Sequence, residues 1–335
     1  MNEIEIELVK DLLSEPKKIV IIPHRSPDGD AMGSTLALHH FLRKIGQQSQ
    51  VIAPNEFPHF LDWLPGSDHV LVFEKEREKT TEILKSADLI FVLDFNALHR
   101  TGDMEQVLNK LSVPFIMIDH HQKPDNFAAV TFSDTSAGST CEMIYRFISY
   151  LDKEELIDKQ IAGCIYTGIV TDTGSFRFQS TTSETHKIAA KLIERGVENG
   201  VIHSNLFDNN SYNSLQLLGT ALKNMKVLYE HNASYITLTQ EELDSHNYVK
   251  GDTEGIVNYG LSVKGVIFTA IFIEHRDENI IKISLRSKGD FDVNQLAREH
   301  FNGGGHINAA GGKSHLTMDE TIARFLQIVQ SIEIK

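Results

Sequence analysis

The chain has 335 residues, of which 41% are apolar and 23% charged, and it carries a formal charge of −14. This length exceeds what one hydrophobic core usually supports, so we expect two domains. The negative charge argues against a groove for long nucleic acid, because such binding depends on cationic patches and counterion release. A short anionic substrate, held by a few local cations or by metal ions, is not excluded.

The sequence also indicates where in the cell the protein is expected. No uninterrupted apolar run approaches the roughly 18 residues of a membrane span. Residues 1–16 are acidic and amphipathic, whereas a secretory signal is basic and then apolar. A cytoplasmic location without membrane association is the default expectation. Cys141 and Cys164 lie in apolar helical patterns, which favours two buried thiols over a disulfide or a metal site.

From residue 17 to about residue 178, apolar strand-like runs alternate with helical segments, which is typical of an α/β domain with a parallel sheet. Helices are predicted over residues 31–45, over 139–151 with Ser139 or Thr140 as the cap, and over 183–200 with Gly196 as a stop signal.

Three of the apolar runs end on acids and histidines. Residues 19–22 lead to His24, Asp28 and Asp30, residues 89–93 lead to Asp94, and residues 116–118 lead to Asp119, His120 and His121. Runs that are apolar on both faces read as buried parallel strands, whose carboxyl ends line one crevice. We therefore expect these side chains to converge. A further apolar segment, "IYTGIVTDTGSF", ends on Asp172.

Four or five carboxylates in one crevice would repel one another unless cations joined them. Oxygen ligands mixed with imidazole nitrogens suit Mn²⁺, while more oxygens favour Mg²⁺ and more histidines favour Zn²⁺ or Fe²⁺. The ligands are too numerous for one ion. Two ions about 3.5 to 4 Å apart, bridged by one carboxylate, would use the set and activate a water for attack on phosphorus.

The carboxyl-terminal part has a different pattern. A helix over residues 211–232 is predicted to connect the two halves, with apolar residues suited to packing on both. Strands follow, including a hairpin between residues 267–274 and 280–286, and then a short helix and a glycine-rich loop. The domain boundary is expected within residues 197–225.

Five motifs in this order resemble a known family. "HRSPDGDAMGS", "VLDFN", "IDHHQ" and "TDTGSF" are similar to the four motifs of the DHH phosphoesterases, and "GGGHINAAGG" is similar to the signature of the DHH-associated carboxyl-terminal domain. The resemblance implies a metal-binding domain over 1–196, a linker with the connector helix over 197–230, and a smaller α/β substrate-binding domain over 231–335. It places the active site in the cleft between the domains, which would close on each other.

The resemblance also implies roles for the residues at the strand ends. His24, Asp28 and Asp172 would hold one metal ion, Asp30 and His120 the other, and Asp94 would bridge them. His121 would face the scissile phosphate as a general acid or charge stabiliser. Asp119 would orient a histidine, as carboxylates commonly do beside metal-bound imidazoles.

Substrate contacts are expected from two further regions. The backbone amides of Gly303, Gly304 and Gly305, with His306, could approach an anion closely, and Arg286, Ser287 and Lys288 match phosphate oxygens. For Arg177 and Phe178 two readings stay open. In the first reading, Phe178 stacks on a base while Arg177 reaches a phosphate. In the second, Phe178 is a core residue and Arg177 is solvated.

Within the family, the chain is similar to the nanoRNase and pAp phosphatase branch (pAp, 3′-phosphoadenosine-5′-phosphate). That branch implies a hydrolase with two Mn²⁺, or with Mg²⁺, that degrades short oligoribonucleotides and dinucleotides to mononucleotides and converts pAp to AMP. The alternatives are a phosphodiesterase for cyclic or linear dinucleotides, less favourably a pyrophosphatase or exopolyphosphatase, and a sensor without turnover. Family members often form homodimers, and no feature of this sequence establishes one.

Overall fold

In the computed structural model, which describes residues 2–332, the apolar runs of the amino-terminal half form a parallel sheet. Its strands are β1 (Lys18–Ile22), β2 (Gln48–Ala53), β3 (Leu71–Val72), β4 (Leu89–Leu93), β5 (Phe115–Asp119) and β6 (Val130–Ser133). Their spatial order is β3-β2-β1-β4-β5-β6, and each of these neighbours pairs in parallel. The predicted α/β fold class is confirmed.

Helices cover both faces of this sheet. They are α1 (Glu3–Leu12), α2 (Gly29–Lys44), α3 (Arg77–Lys85), α4 (Glu105–Leu108), α5 (Thr140–Tyr150), α6 (Lys159–Asp172), α7 (Ser183–Glu194) and α8 (Asn199–Phe207). Along β1, Ile19 and Ile21 pack into one apolar cluster, while Val20 and Ile22 pack into another. Because successive side chains of a strand point to opposite faces, a strand covered on both sides reads as a continuous apolar run.

The strand order reverses between β1 and β4, and a crevice opens at such a point beyond the carboxyl ends of the strands. His24 follows β1 and Asp94 follows β4, while Asp119 is the last residue of β5. The topology therefore brings three of the predicted motifs to one edge of the sheet.

Helices α2 and α6 cross at glycines, which lets their backbones approach closely. A Cβ on Gly33 of α2 would lie 2.6 Å from the carbonyl oxygen of Cys164 in α6, and one on Gly29 would lie 2.5 Å from the Thr171 side chain. Small residues at a crossing are what permits such contact. The crossing brings the end of α6 to the start of α2.

The chain divides into two units, Met1–Asn209 and Asn210–Lys335. The second contains β7 (Lys226–Leu228), β8 (Ala233–Leu238), β9 (Phe268–His275), β10 (Ile280–Ser287), β11 (Gly304–Gly305) and β12 (Ala309–Ser314), with α9 (Tyr212–Asn224), α10 (Gln240–Ser245), α11 (Val257–Ser262), α12 (Val293–His300) and α13 (Met318–Ser331). Its sheet has the order β11-β12-β10-β9-β8-β7. Strands β8 and β9 pair in parallel, whereas β9 and β10 form the predicted antiparallel hairpin.

Two predicted helices differ from the structure. The connector predicted over 211–232 is helical only to Asn224, because Met225 turns to extended backbone and the following residues pair with β8 as strand β7. Its buried residues Leu217 and Ala221 pack within the second unit's own core. The helix predicted over 183–200 ends at Glu194 and is followed by Gly196 at a φ of +94°, a left-handed conformation that glycine adopts readily.

Both cysteines are buried free thiols, as expected from their apolar surroundings. Among residues 2–332, no helix combines the length and the apolar character that crossing a membrane requires.

Candidate metal centre

Two residues of the first motif are held by the chain immediately around them. Asp28 caps α2, and its Oδ1 accepts hydrogen bonds from the backbone N–H groups of Asp30 (3.0 Å) and Ala31 (3.1 Å). His24 Nδ1 lies 2.8 Å from the carbonyl oxygen of Arg25. Because a carbonyl only accepts, Nδ1 carries a proton, and the other ring nitrogen of His24, Nε2, lies 3.8 Å from Asp28 Oδ2.

Asp94 stands in the middle of the site, with each oxygen facing a different histidine. Its Oδ2 lies 3.4 Å from His24 Nε2, and its Oδ1 lies 3.5 Å from His120 Nε2. The backbone of Asp94 is left-handed, with a φ of +65°, a conformation that is uncommon for a non-glycine residue and is found at functional sites. This placement suits a carboxylate that bridges two cations.

His120, Asp30 and Asp172 form a second group. His120 Nε2 lies 3.4 Å from Asp172 Oδ2 and 3.7 Å from Asp30 Oδ2. As in His24, the other ring nitrogen, Nδ1, is 3.1 Å from a carbonyl oxygen, that of Ala137. Nε2 of His120 therefore points at carboxylates, and a divalent cation could displace its proton there.

The position of Asp172 differs from one expectation. The resemblance groups it with His24 and Asp28, whereas its ligand atom lies within 4.8 Å of those of Asp30 and His120. Asp172 is the last residue of helix α6, so the packing of that helix sets its position. The α2–α6 crossing fixes where that helix ends.

Asp119 and His121 form a buried pair. His121 Nδ1 lies 2.7 Å from Asp119 Oδ1, and the His121 backbone N–H donates to Asp119 Oδ2 at 3.1 Å. The histidine that Asp119 orients is therefore His121. Because Nδ1 is engaged, any proton exchange of His121 with a substrate falls to Nε2.

The electrostatics show why cations fit this cluster. Burial, with the negative charges of Asp94 and Asp172, raises the pKa of Asp30 well above its ordinary value. Burial opposes ionisation of Asp94 as well, yet hydrogen bonds with His120 and His24 hold its pKa well below the usual range. Burial lowers the pKa of His120, but Asp94 and Asp172 outweigh it and raise this pKa well above normal. The cluster retains protons that divalent ions would displace.

Arg100 belongs to the site although the sequence motifs did not single it out. Its carbonyl oxygen accepts the Arg25 N–H at 2.8 Å, which joins it to the loop that carries His24. Burial lowers the pKa of His121 well below its ordinary value, and the charges of Asp94 and Arg100 act on it in opposite directions. The sequence pattern that could have indicated Arg100 is a cationic residue six positions after Asp94, which follows a predicted strand.

The predicted cations of the second unit are partly engaged. Lys288 Nζ donates to the carbonyl oxygens of Leu261 and, at 3.3 Å, of Val266. The Ser287 hydroxyl is buried and donates to Phe291 O at 2.6 Å. The ammonium of Lys288 therefore contacts local backbone through two of its three possible donors, and a contact with phosphate remains a prediction. Arg286 is half-buried, and one of its nitrogens, Nη1, donates to Leu285 O at 3.0 Å.

The glycine-rich loop also differs from its expected form, because several of its amides already donate within the protein. The N–H of Gly303 donates to Ala297 O at 3.1 Å, that of Gly305 to Asn294 Oδ1 at 2.9 Å, and that of His306 to Ala309 O at 2.7 Å. A Cβ on Gly303 would lie 1.9 Å from Gly311 O. At least Gly303 is thus required for packing against β12.

Arg177 and Phe178 lie in the turn after α6. Arg177 Nε donates to Gly174 O at 2.6 Å, and the Phe178 ring is 38% exposed and covers Gly174. Phe178 is therefore not a core residue, and Arg177 is tied to the turn. The reading in which Phe178 stacks on a base and Arg177 reaches a phosphate remains a prediction.

The fold and the site together define a phosphoester hydrolase of the DHH type, and comparison with known proteins agrees. Residues 18–169 match the DHH family, N-terminal domain, and residues 232–333 match the DHHA1 domain. The chain belongs to the DHH family.

Two relatives of similar length carry the same name. The bifunctional oligoribonuclease and PAP phosphatase NrnA of Thermus thermophilus is 30% identical over 97% of this chain and 94% of its own length. The Bacillus subtilis protein of the same name is 30% identical over 88% of each chain.

Solved structures agree on the architecture. An exopolyphosphatase-related protein from Bacteroides fragilis is 41% identical and superimposes with a TM-score of 0.93, covering 98% of this chain and 96% of the other. The Thermus thermophilus RecJ structure with Mn²⁺ is 12% identical and has a TM-score of 0.56, covering 98% of this chain and 54% of its own. At that identity it shows a shared fold alone.

Proposed function

We propose that this protein hydrolyses short oligoribonucleotides to mononucleotides and dephosphorylates pAp to AMP, using two divalent ions, Mn²⁺ or Mg²⁺. The observation that carries the proposal is the pair of histidine–carboxylate groups on either side of Asp94. Full-length similarity to relatives named oligoribonuclease and PAP phosphatase supports the choice of substrate. A cytoplasmic location and a homodimer remain predictions from the sequence and the resemblance.

The donor set supports the following assignment of ligands. His24 and Asp28 would hold one ion, Asp30, His120 and Asp172 the other, and Asp94 would give one oxygen to each. The bound ions would supply Lewis-acid activation of water and of the phosphoryl oxygens. The protein's contribution is to hold these ligands before the ions arrive, since both histidines are oriented by carbonyl oxygens.

His121 is proposed to assist the leaving group. Asp119 fixes its ring through Nδ1, so Nε2 is the atom that would face the leaving oxygen of a substrate. Arg100 adds a positive charge that acts on His121 and would stabilise a phosphate group bound there. Arg286, Gly304 and His306, with Arg177 and Phe178, remain the proposed contacts for the rest of the substrate, and Ser287 and Lys288 would support them through the backbone.

A chromatographic time course with Mn²⁺ or with chelator tests the proposal on pAp, pApA, a pentanucleotide RNA, a long RNA, cyclic di-AMP and pyrophosphate. We expect mononucleotides from the short RNAs and phosphate from pAp, and we expect chelator to abolish both. Asp94→Asn and His121→Ala should remove turnover without unfolding the protein. Cleavage confined to cyclic di-AMP or pyrophosphate would refute the substrate assignment, and tight pAp binding without turnover would indicate a sensor.

A further inference from the structure

The first turn of α5 contacts two of the proposed metal ligands. The Thr140 backbone N–H donates to Asp30 Oδ2 at 2.6 Å, and the Cys141 N–H donates to Asp30 Oδ1 at 2.9 Å. The Thr140 hydroxyl donates to Asp94 Oδ1 at 2.9 Å. Thr140 thus contacts Asp30 through its backbone and Asp94 through its side chain.

These bonds use donors that a helix leaves unpaired at its start. Ser139 caps α5 by accepting the Glu142 N–H at 3.0 Å, and the two preceding amides of the turn go to Asp30. Both oxygens of Asp30 are therefore held by a segment 110 residues further along the chain. The position of α5 sets the position of this carboxylate.

The Thr140 side chain is fully buried, at 0% exposure. A buried hydroxyl needs a partner, and here the partner is Asp94 Oδ1, the oxygen that faces His120. Asp94 Oδ2 faces His24 instead. The hydroxyl therefore fixes the rotation of the Asp94 carboxylate, and with it which oxygen is offered to which group of ligands.

We propose that Thr140 is a positioning residue of the metal centre, which sets the orientation of Asp94 through its hydroxyl and the place of Asp30 through its backbone N–H. Neither the sequence motifs nor the comparisons assign it a role. The inference rests on the proposed function only in that the cluster binds divalent ions. It does not depend on which phosphoester is cleaved.

Three variants separate positioning from simple structural support. Thr140→Val keeps the shape, the β-branch and the backbone N–H but removes the hydroxyl, whereas Thr140→Ser keeps the hydroxyl. Thr80→Val is the matched control, because Thr80 is also fully buried in a helix of this unit and its hydroxyl donates only to the carbonyl oxygens of Glu76 and Arg77.

The experiment is calorimetric titration of Mn²⁺ into each full-length, metal-free protein, with thermal unfolding measured with and without Mn²⁺. We expect Thr140→Val to weaken Mn²⁺ binding by ~10- to 100-fold, as loss of partners behind metal ligands does. It should also lose most of the Mn²⁺-induced rise in Tm. Thr140→Ser should stay within about threefold of the wild type, and Thr80→Val should lower Tm without changing the Mn²⁺ affinity.

Wild-type Mn²⁺ affinity in folded Thr140→Val would overturn the inference, as would an equal loss of affinity in Thr80→Val. If Thr140→Val does not fold, the same titration of Thr140→Ala tests the inference, because this variant also lacks the hydroxyl. The proposed function fails separately, when the wild type binds Mn²⁺ but hydrolyses neither the short RNAs nor pAp.

Discussion

Gly168 leaves the space that Asp30 occupies: a Cβ at this position of α6 would lie 2.7 Å from Asp30 Oδ1 and 2.2 Å from Cys141 Sγ. Atoms at such distances cannot coexist, so any side chain here must displace α2, α5 or the carboxylate itself. The helix packing of the first unit and the geometry of its candidate metal centre are therefore coupled through a glycine.

We expect Gly168→Ala to lower the free energy of unfolding by ~1–3 kcal/mol, the usual cost of overpacking, and to weaken Mn²⁺ binding as Asp30 shifts. Gly163→Ala is the control, since a Cβ on Gly163 in the same helix meets nothing within 4 Å. It should stabilise the helix by up to about 1 kcal/mol. Urea unfolding and Mn²⁺ titration measure both, and equal behaviour of the two variants would contradict the coupling.

The pair of Asp119 and His121 predicts a selective loss of turnover. In Asp119→Asn the amide has one acceptor oxygen for the two N–H groups of His121, so its NH2 group faces one of these donors and the ring loses its orientation. We expect kcat to fall by roughly 10²- to 10⁴-fold, the contribution of a positioned acid or base, with KM and Mn²⁺ affinity little changed. His121→Ala should reach the same level. Steady-state kinetics on pAp with saturating Mn²⁺ decide this, and a change in KM alone would assign the pair to substrate binding.

Arg100→Ala should raise KM for pAp by about tenfold or more, because a charge-assisted contact to phosphate contributes about 1.5–3 kcal/mol. Mn²⁺ affinity should not weaken, since Arg100 repels cations. Arg77→Ala serves as the control, as Arg77 pairs with Asp103 at the exposed surface. An unchanged KM in Arg100→Ala would remove this residue from the proposed substrate contacts.

The glycine-rich loop allows packing and binding to be separated. Gly303→Ala should destabilise the second unit, because its Cβ would meet Gly311 O at 1.9 Å. Gly304→Ala should leave the Tm near that of the wild type, since its nearest neighbour would be Asn294 Oδ1 at 3.6 Å. Reduced pAp turnover in Gly304→Ala at normal Tm would support a substrate role for the loop. Normal turnover would limit the loop to structure.

His39 predicts a pH dependence of stability outside the metal centre. Burial, with the charges of His40, Arg43 and His69, lowers the pKa of His39 to about 4, and its Nδ1 lies 3.0 Å from Ser49 Oγ of β2. Between pH 6.5 and about 4 the unfolded chain binds a proton here that the folded protein does not. The free energy of unfolding should therefore be fully retained above pH 6.5 and fall as the pH drops towards 4.

His39→Gln should flatten that slope in urea unfolding measured at several pH values, relative to His59→Gln, which alters a histidine whose side chain is 74% exposed. A slope in His39→Gln as steep as that of the wild type would show that other groups cause it.

The amino-acid sequence by itself determined the sheet and the strand-end part of the site. His24, Asp94 and the Asp119–His121 segment each follow an apolar run, and in a parallel sheet such positions converge whatever the details of packing. These features depend on neighbours along the chain, and their pattern is visible in the printed residues.

Only the tertiary structure decided how the candidate metal ligands are grouped and which residues hold them. Asp172 joins Asp30 and His120 because α6 crosses α2 at glycines, and Thr140 reaches Asp94 because α5 begins at that crevice. Lys288 donates to two backbone carbonyl oxygens because the packing of the second unit brings them within reach of its ammonium. Contacts between residues far apart in the chain depend on how whole helices and strands pack, and local pattern carries no information on those distances.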